Sequence, residues 1–153
     1  MKQIALTQNQ YATVSDKDYE KVNQFKWCYD SHNRCAVRGV KTNGKNKIIF
    51  MHRFIMDTPV GLVTDHINGN RLDNRQENLR ICKNFENQRN MNMHKDNTTG
   101  YKGVYFTGQK WYSKIANKHI GTFNTKLEAA IAYNIAAKKV FGNFAKINVL
   151  GDN

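Results

Sequence analysis

Residues 62–82 decide the fold we expect, and they read LVTDHINGNRLDNRQENLRIC. The apolar run at 62–67 predicts a strand, and Asn68-Gly69-Asn70 predicts the turn that ends it. Residues 71–78 are polar and rich in asparagine, whose side chains can hydrogen-bond the backbone of a loop. Leu79–Cys82 predicts a second strand. The segment is therefore expected to form two strands joined by a loop that asparagine side chains hold.

A helix is expected directly after the second strand, with Asn84 as its cap and an end near Met91. An order of strand, loop, strand and helix can bring Asp65, His66 and Asn87 together. Carboxylate and amide oxygens suit Mg²⁺, Mn²⁺ or Ca²⁺ better than zinc, and histidine can act as a general base. A single histidine is more often structural than catalytic, so the residues alone leave both roles open.

Composition favours a protein that binds a polyanion. The 153 residues include 24 Lys and Arg against 12 Asp and Glu, a formal charge of +12. The excess lies in residues 1–60 and 99–153, whereas the charges of residues 61–98 nearly balance. Such an excess on one or two small domains is typical of nucleic-acid binding. With 40% hydrophobic residues, the chain has enough apolar side chains for a core, which excludes full disorder.

The sequence also predicts where the chain is located and whether its cysteines are reduced. No apolar run approaches the roughly 18 residues that a membrane span needs. The first residues, Met1–Gln8, lack the apolar stretch of a signal peptide. Cys28, Cys35 and Cys82 form no CxxC pair, so we expect free thiols rather than a zinc site. The chain is therefore expected to be soluble and cytoplasmic, without a membrane partner.

Residues 50–90 resemble the HNH endonucleases of phages and introns. The resemblance is carried by DHINGN at 65–70, NR..NLR at 74–80 and EN at 86–87. It implies a ββα-metal finger, which consists of two antiparallel strands and a helix around a metal ion. It also implies that DNA phosphodiester bonds are hydrolysed. We therefore expect an α+β fold with such a finger.

The same resemblance implies a role for each matching residue. Asp65 and Asn87 would bind a divalent metal, Mg²⁺ before Mn²⁺, because asparagine stands where the zinc-preferring relatives have histidine. His66 would be the general base that activates water. Asn78 would hold the loop through side-chain to backbone hydrogen bonds and so help to aim His66.

Two residues before the finger match an HR pair of the same family branch. His52 would then belong to the catalytic group, and Arg53 could clamp a phosphate with both arms of its guanidinium. The alternative is that His52 is an interior hydrogen-bonding residue and Arg53 a surface charge. The sequence leaves both interpretations open.

The C-terminal third predicts three strands and one helix. The strands are expected at Lys102–Phe106, Trp111–Ala116 and His119–Phe123, and the helix from Thr125 to about Phe141. Gly142 is a suitable C-terminal stop. The apolar positions Leu127, Ala130, Ile131, Ile135 and Val140 are expected near one face of the helix. Its small residues, Ala129, Ala130, Ala132, Ala136 and Ala137, are expected to allow close packing on the sheet.

Residues 99–148 resemble the DNA-binding domain of the AP-two/ethylene-response-factor family. The resemblance is carried by GYKGV at 100–104, KWYSKI at 110–115, HIGTF at 119–123 and an alanine-rich helix. It implies a three-stranded antiparallel sheet packed on one helix, with the other sheet face on DNA. Tyr105, Thr107 and Ala116 stand where the plant proteins have base-reading arginines, so phosphate contacts are expected to dominate.

Strand alternation assigns residues to the two sheet faces. The side chains expected to face the helix are Val104, Phe106, Trp111, Ile115 and Phe123. The residues expected to contact DNA are Lys102, Tyr105, Thr107, Lys110, Tyr112, Lys114, Lys118 and His119.

Four segments are expected along the chain: a mixed α/β segment at 1–50, the finger at 51–92, a linker at 93–98 and the sheet domain at 99–148. The function expected is that of a metal-dependent endonuclease of the homing type, acting on double-stranded DNA and not on a small molecule. A DNA-binding regulator on an inactive HNH scaffold is the alternative, and a structured-RNA-binding protein is a third possibility. Whether the chain is a monomer or a dimer is left open.

Overall fold

The computed structural model describes residues 1–91, 93 and 96–151. Two compact units, Met1–Asn87 and Gln88–Asn153, divide the chain. The fold is mixed α+β, with small sheets and short helices in each unit. Part of the expected linker, residues 94 and 95, lies outside the described residues.

The first half of unit 1 contains five strands and two helices. Their bounds are β1 (Lys2–Ala5), β2 (Tyr11–Val14), α1 (Asp16–Asn23), β3 (Cys28–Asp30), β4 (Cys35–Thr42), β5 (Lys45–Phe50) and α2 (Met51–Ile55). Strands β3, β4 and β5 form an antiparallel sheet in that order. Asn43 and Gly44 join β4 to β5 with φ of 49° and 75°, the left-handed pair that a tight hairpin turn requires.

The second half of unit 1 contains the segment that the sequence singled out. Its elements are β6 (Val63–His66), β7 (Asp73–Asn74), β8 (Leu79–Cys82) and α3 (Asn84–Arg89). The two expected strands, β6 and β8, pair antiparallel. The expectation of an irregular loop over residues 71–78 was wrong in part, because β7 and a single 3₁₀ turn at Gln76–Asn78 lie within it. Helix α3 ends two residues before Met91.

Strand β7 ties this segment to the N-terminal residues. It pairs in parallel with β2, which pairs antiparallel with β1, so the sheet order is β1-β2-β7. The main core combines both halves of the unit, since Leu79 of β8 packs with Trp27, Met51 and Val14. The predicted boundary between residues 50 and 51 therefore falls inside one compact unit.

Unit 2 contains the expected three-stranded antiparallel sheet and its helix. The elements are β9 (Val104–Phe106), β10 (Trp111–Ile115), β11 (Lys118–Phe123) and α4 (Lys126–Phe141), with sheet order β11-β10-β9. The helix begins with a capping box in which the Thr125 side chain accepts from the Glu128 amide. It ends at Gly142, whose φ is 54°, and the predicted stop is confirmed.

The side of α4 that packs on the sheet agrees only in part with the prediction. Its buried residues are Ala129, Ala130, Tyr133 and Ala137, because small side chains let the helix backbone approach the sheet. Of the five residues expected on the buried side, only Ala130 is buried, and the exposed ones are Leu127, Ile131, Ile135 and Val140.

The sheet face toward the helix was largely as predicted. Val104 and Ile115 are buried, and Trp111 and Phe123 pack against the same cores. Phe106, expected on the same face, ends its strand and is 51% exposed, and its ring lies 4.7 Å from that of Trp111 between centroids. Over the described part of the chain, none of the helices combines the length and apolarity that a membrane crossing demands.

Candidate active site

Strand β6 ends on two adjacent buried polar residues. Asp65 and His66 are each 6% exposed, and they lie opposite Arg80 and Leu79 of β8. Consecutive strand residues project to opposite sides, so the two side chains have separate sets of neighbours. The site can be built by following each side chain in turn.

Asp65 is paired with Arg80. The carboxylate oxygen Oδ2 accepts from Nε of Arg80 at 2.9 Å and from Nη2 at 2.6 Å. A buried carboxylate without an opposite charge would cost several kcal/mol, and Arg80 supplies that charge. This partner was not predicted from the sequence, although the antiparallel register of β6 and β8 is the signal that could have found it.

Asn87 lies on α3. Its backbone and the carboxylate of Asp65 both influence the thiol of Cys82. Burial raises the pKa of the Cys82 thiol, the negative charge of Asp65 raises it further, and the backbone amide of Asn87 opposes both. The backbone of Asn87 therefore lies beside this thiol, and the charge of Asp65 acts on it.

The donor chemistry around Asp65 suits a hard divalent cation. Within residues 1–91, 93 and 96–151, no group of three His, Cys, Asp or Glu side chains is arranged to hold a metal. A carboxylate and a carboxamide, from Asp65 and Asn87, are the kind of sparse oxygen set that leaves most positions to water and phosphate. Mg²⁺ takes oxygen donors of this kind in proteins, and the assignment of Asp65 and Asn87 as its ligands stays a prediction.

His66 contacts two side chains that come from other elements. Its Nε2 is 3.2 Å from Oδ1 of Asn74 on β7, and its ring meets that of His52 edge-on, with 5.0 Å between centroids. Burial lowers the pKa of His66, while the Asn74 hydrogen bond and the charge of Asp65 work against that shift. The ring of His66 is therefore neutral at pH 7 and able to accept a proton.

His52 is a partly buried histidine that is neutral at pH 7. Burial lowers its pKa to about 3, and the charge that His66 would carry when protonated and the charge of Arg53 act in the same direction. Its Nδ1 is buried and makes no hydrogen bond among the described residues. The structure therefore favours an interior position for His52 beside His66 over an acid or base that exchanges protons near pH 7.

Asn78 ties the loop as the resemblance implied. Its Oδ1 accepts from the Asn68 amide at 3.0 Å, and its Nδ2 donates to the carbonyl of Asp73 at 2.8 Å. The side chain is buried. These two bonds join both ends of the loop that follows His66, while the effect of Asn78 on catalysis stays a prediction.

Arg53 is already engaged by the backbone. Its Nη1 donates to the Leu62 carbonyl at 2.8 Å, and its Nη2 lies 3.3 Å and 3.4 Å from the carbonyls of Thr58 and Pro59. These bonds hold the segment that leads into β6. A phosphate clamp by Arg53 would have to replace them, so the clamp stays a prediction.

The open face of the sheet in unit 2 carries a row of three rings, Tyr105, Tyr112 and His119. Tyr105 and Tyr112 stack with 5.2 Å between centroids, and Tyr112 lies 6.1 Å from His119. The ammonium of Lys114 sits 4.6 Å above the Tyr105 ring. Four of the eight residues expected to contact DNA thus lie together on the face away from α4.

The other four expected contacts differ in their surroundings. Thr107 and Lys110 are exposed in the turn between β9 and β10, and Lys118 is exposed at the start of β11. Lys102 is partly buried, and its Nζ donates to the carbonyls of Arg89 and Met91 at 3.1 Å and 2.6 Å. Desolvation lowers the pKa of Lys102. A phosphate contact from Lys102 would therefore compete with these internal bonds.

Known proteins resemble the chain in this region and beyond it. The family described as HNH endonuclease matches residues 57–89, which include Asp65, His66, Asn78 and Asn87. An uncharacterized HNH endonuclease of Acanthamoeba polyphaga mimivirus is 31% identical over 149 residues, covering 90% of this chain and 74% of its own.

A second relative, Protein 3.8 of Escherichia phage T7, is 40% identical over 52 residues, which are 34% of this chain and 43% of that protein. No solved structure matches. HNH endonucleases generally use a divalent metal and act on DNA. The match over the paired strands and the similarity over most of the mimiviral protein lead to one conclusion, that this chain belongs to the HNH endonuclease family.

Proposed function

We propose that the chain is a metal-dependent endonuclease that hydrolyses phosphodiester bonds of double-stranded DNA, with His66 as the general base. The observation that carries the proposal is the buried neutral ring of His66, held by Asn74 next to Asp65. A buried imidazole with a lowered pKa is ready to accept a proton at neutral pH.

In the proposed reaction, His66 takes a proton from a water molecule as that water attacks the scissile phosphorus. The bond from phosphorus to the 3′ oxygen breaks, and the leaving oxygen is protonated from solvent. Asn78 holds the loop after His66 through its bonds to Asn68 and Asp73, and so keeps the ring aimed. Arg80 keeps the Asp65 carboxylate in place through two hydrogen bonds.

Asp65 and Asn87 would hold the divalent ion, Mg²⁺ or Mn²⁺, because carboxylate and carboxamide oxygens are the hard donors that such ions take. The bound ion supplies Lewis-acid stabilisation of the charge that develops on the phosphate and the leaving oxygen. Its removal by a chelator is expected to stop cleavage.

We further propose that residues 99–148 attach the enzyme to DNA, as their resemblance to the AP-two DNA-binding domain implies. The support is the row of Tyr105, Tyr112 and His119 with Lys114 on the open sheet face. Exposed Lys110 and Lys118 would add phosphate contacts at the sheet ends. Such contacts position a protein without reading sequence.

Incubation with supercoiled plasmid tests this function directly. With Mg²⁺ or Mn²⁺ the full chain should convert plasmid to nicked or linear form, and EDTA should stop the conversion. His66→Ala should lower the rate by at least about 100-fold, the lower range for loss of a general base, with DNA affinity unchanged. His32→Ala, at an exposed histidine in the turn between β3 and β4, is the matched control and should cut normally.

The alternatives give different results in the same experiment. A DNA-binding regulator on an inactive scaffold would retard plasmid without cutting it under any metal. A structured-RNA-binding protein would prefer folded RNA over duplex DNA in competition. Unchanged cutting by His66→Ala would remove His66 from the mechanism.

A further inference from the structure

Asn74 holds the ring of His66 by a hydrogen bond, and the proposed mechanism assigns it no role in catalysis. It is completely buried, on the two-residue strand β7. Its backbone pairs with Val14 of β2, so its position is set by the N-terminal sheet. A buried amide must satisfy its donors and acceptors, and each end of the Asn74 amide has an identifiable partner.

The two ends of the Asn74 amide can be told apart by their partners. Its Nδ2 lies 3.3 Å from the carbonyl oxygen of Leu72, which can only accept. That same carbonyl accepts from the Thr13 amide at 2.8 Å, so β2 fixes its direction. The nitrogen of the Asn74 amide therefore points to Leu72, and the oxygen Oδ1 points to His66.

An oxygen facing His66 determines which ring nitrogen carries the proton. Oδ1 of Asn74 has no hydrogen to donate, so Nε2 of His66, 3.2 Å away, must be the donor. A neutral imidazole has one N–H and one basic nitrogen. With the hydrogen on Nε2, the lone pair lies on Nδ1.

We propose that Asn74 is a positioning residue that holds His66 as the Nε2–H tautomer and so makes Nδ1 the atom that accepts the proton from water. The catalytic part of this statement rests on the proposed nuclease function. The tautomer itself does not, because it follows from the contacts of Asn74 alone. In this arrangement β2 acts on the chemistry through Thr13, Leu72 and Asn74 without touching the substrate.

The test combines a spectroscopic readout with cleavage. Long-range proton–nitrogen NMR of histidine labelled with ¹⁵N reports which ring nitrogen is protonated, and His66→Ala assigns the signal. Spectra are taken at about pH 8.5, above the usual pKa range of histidine in proteins. The full-length wild type is expected to show a protonated Nε2 and an unprotonated Nδ1 at His66.

Asn74→Ala removes the acceptor, and its His66 signals should move toward a mixture of tautomers. Its nicking rate constant should fall about 10–100-fold, the usual cost of losing a residue that orients a histidine, with DNA affinity unchanged. Asn74→Asp keeps an acceptor oxygen and should restore both the tautomer and most of the rate. Asn70→Ala is the matched control, because Asn70 braces the same loop through the Leu72 amide without contacting His66.

Each outcome has a defined meaning. A protonated Nδ1 in the wild type, or an unchanged His66 signal in a folded Asn74→Ala chain, overturns the proposal. Equal effects of Asn70→Ala and Asn74→Ala on the His66 signal also overturn it, since loop loosening would then explain them. If Asn74→Ala does not fold, the wild-type tautomer and the Asn74→Asp spectrum decide. A wild type with the expected tautomer that cuts no DNA overturns the nuclease function and leaves the tautomer assignment standing.

Discussion

His52 shows how burial changes what a single residue can do. Its ring lies between Phe50 and His66, at centroid distances of 5.5 Å and 5.0 Å, and its pKa is about 3. An imidazole held neutral in this way contributes shape and not charge. The His52 ring therefore acts as a packing side chain, although histidine at this position suggested a catalytic residue.

The pH dependence of stability should report His52. Its pKa is lower in the folded chain than in the unfolded one, so the unfolded state binds more protons between about pH 6.5 and pH 3. Stability should therefore fall as pH drops below about 6.5, by on the order of 1–2 kcal/mol at pH 5. Urea unfolding at pH 7 and pH 5 measures this loss.

His52→Phe keeps a ring but cannot titrate, so its loss of stability between pH 7 and pH 5 should be smaller than that of the wild type. Some loss should remain, because the pKa of His66 is also lowered by burial. Exposed His32, changed to Phe, serves as the control and should leave the wild-type dependence in place. An identical loss in wild type and His52→Phe would show that His52 is not held neutral.

Gly103, the residue before β9, lies directly against Tyr133 of α4. Its φ is 73°, and a Cβ there would lie 2.2 Å from Cε2 of Tyr133 and 2.8 Å from the Lys114 carbonyl oxygen. Tyr133 is buried on α4. The approach of helix and sheet thus depends on a missing side chain at this one position.

Gly103→Ala should destabilise unit 2 by several kcal/mol, because the new methyl must displace Tyr133 or the backbone of β10. Gly108→Ala is the matched control. Its φ of 94° is equally left-handed, but a Cβ there meets nothing within 4 Å, so only the backbone cost of about 1 kcal/mol is expected. Thermal unfolding of both variants measures the difference, and equal losses of stability would contradict the close packing.

An element can be predicted from the sequence when the residues that determine its ends lie within or next to it. Helix α4 was predicted nearly to the residue, because Thr125, Glu128 and Gly142 act within one turn of its ends. Its buried side was predicted only in part. The alanines expected to pack on the sheet include the buried Ala129, Ala130 and Ala137, whereas the larger aliphatic side chains are exposed and Tyr133 completes the core.

In the candidate site, too, the residues positioned by local contacts were predicted and those positioned by distant contacts were not. Asn78 bonds within its own loop, and its position followed from the asparagine pattern and the family resemblance. Strand β7 and the role of Asn74 did not follow, because a two-residue strand carries no periodic pattern and its partner β2 is far away in sequence. Arg80 was missed because only the register of β6 and β8 places it against Asp65.

Over the whole molecule, the positive charge is unevenly distributed along the chain, and its regions are expected to differ in function. The formal charge of +12 is concentrated outside the segment of Asp65 and Asn78. In unit 2, Lys114 and Lys118 belong to the sheet, whereas Lys138 and Lys139 lie in the last turn of α4. Identical charges on the two sides should therefore differ in their effect on DNA.

Changing Lys114 and Lys118 together to Gln should weaken DNA binding. The dependence of log affinity on log salt should fall by about 0.9 for each phosphate that the protein no longer neutralises. Lys138 and Lys139, changed to Gln, remove the same charge from the helix and should change the slope less. Fluorescence anisotropy of a labelled duplex at several salt concentrations gives both slopes. Equal slopes for the two double variants would show that the sheet face is not where DNA binds.

The pairing of β2 with β7 also has a consequence for how the chain is made. The nearby bond from the Gln76 amide to Ser15 spans 61 positions, and closing so long a loop is slow compared with local folding. Because synthesis starts at the N-terminus, the hairpin of β1 and β2 leaves the ribosome before the residues around Asn74. Strand β7 can therefore pair with an edge that has already formed. Newly synthesised chains should therefore gain cutting ability late, only after this distant docking, and a circular permutant that reverses the order of synthesis should acquire activity more slowly.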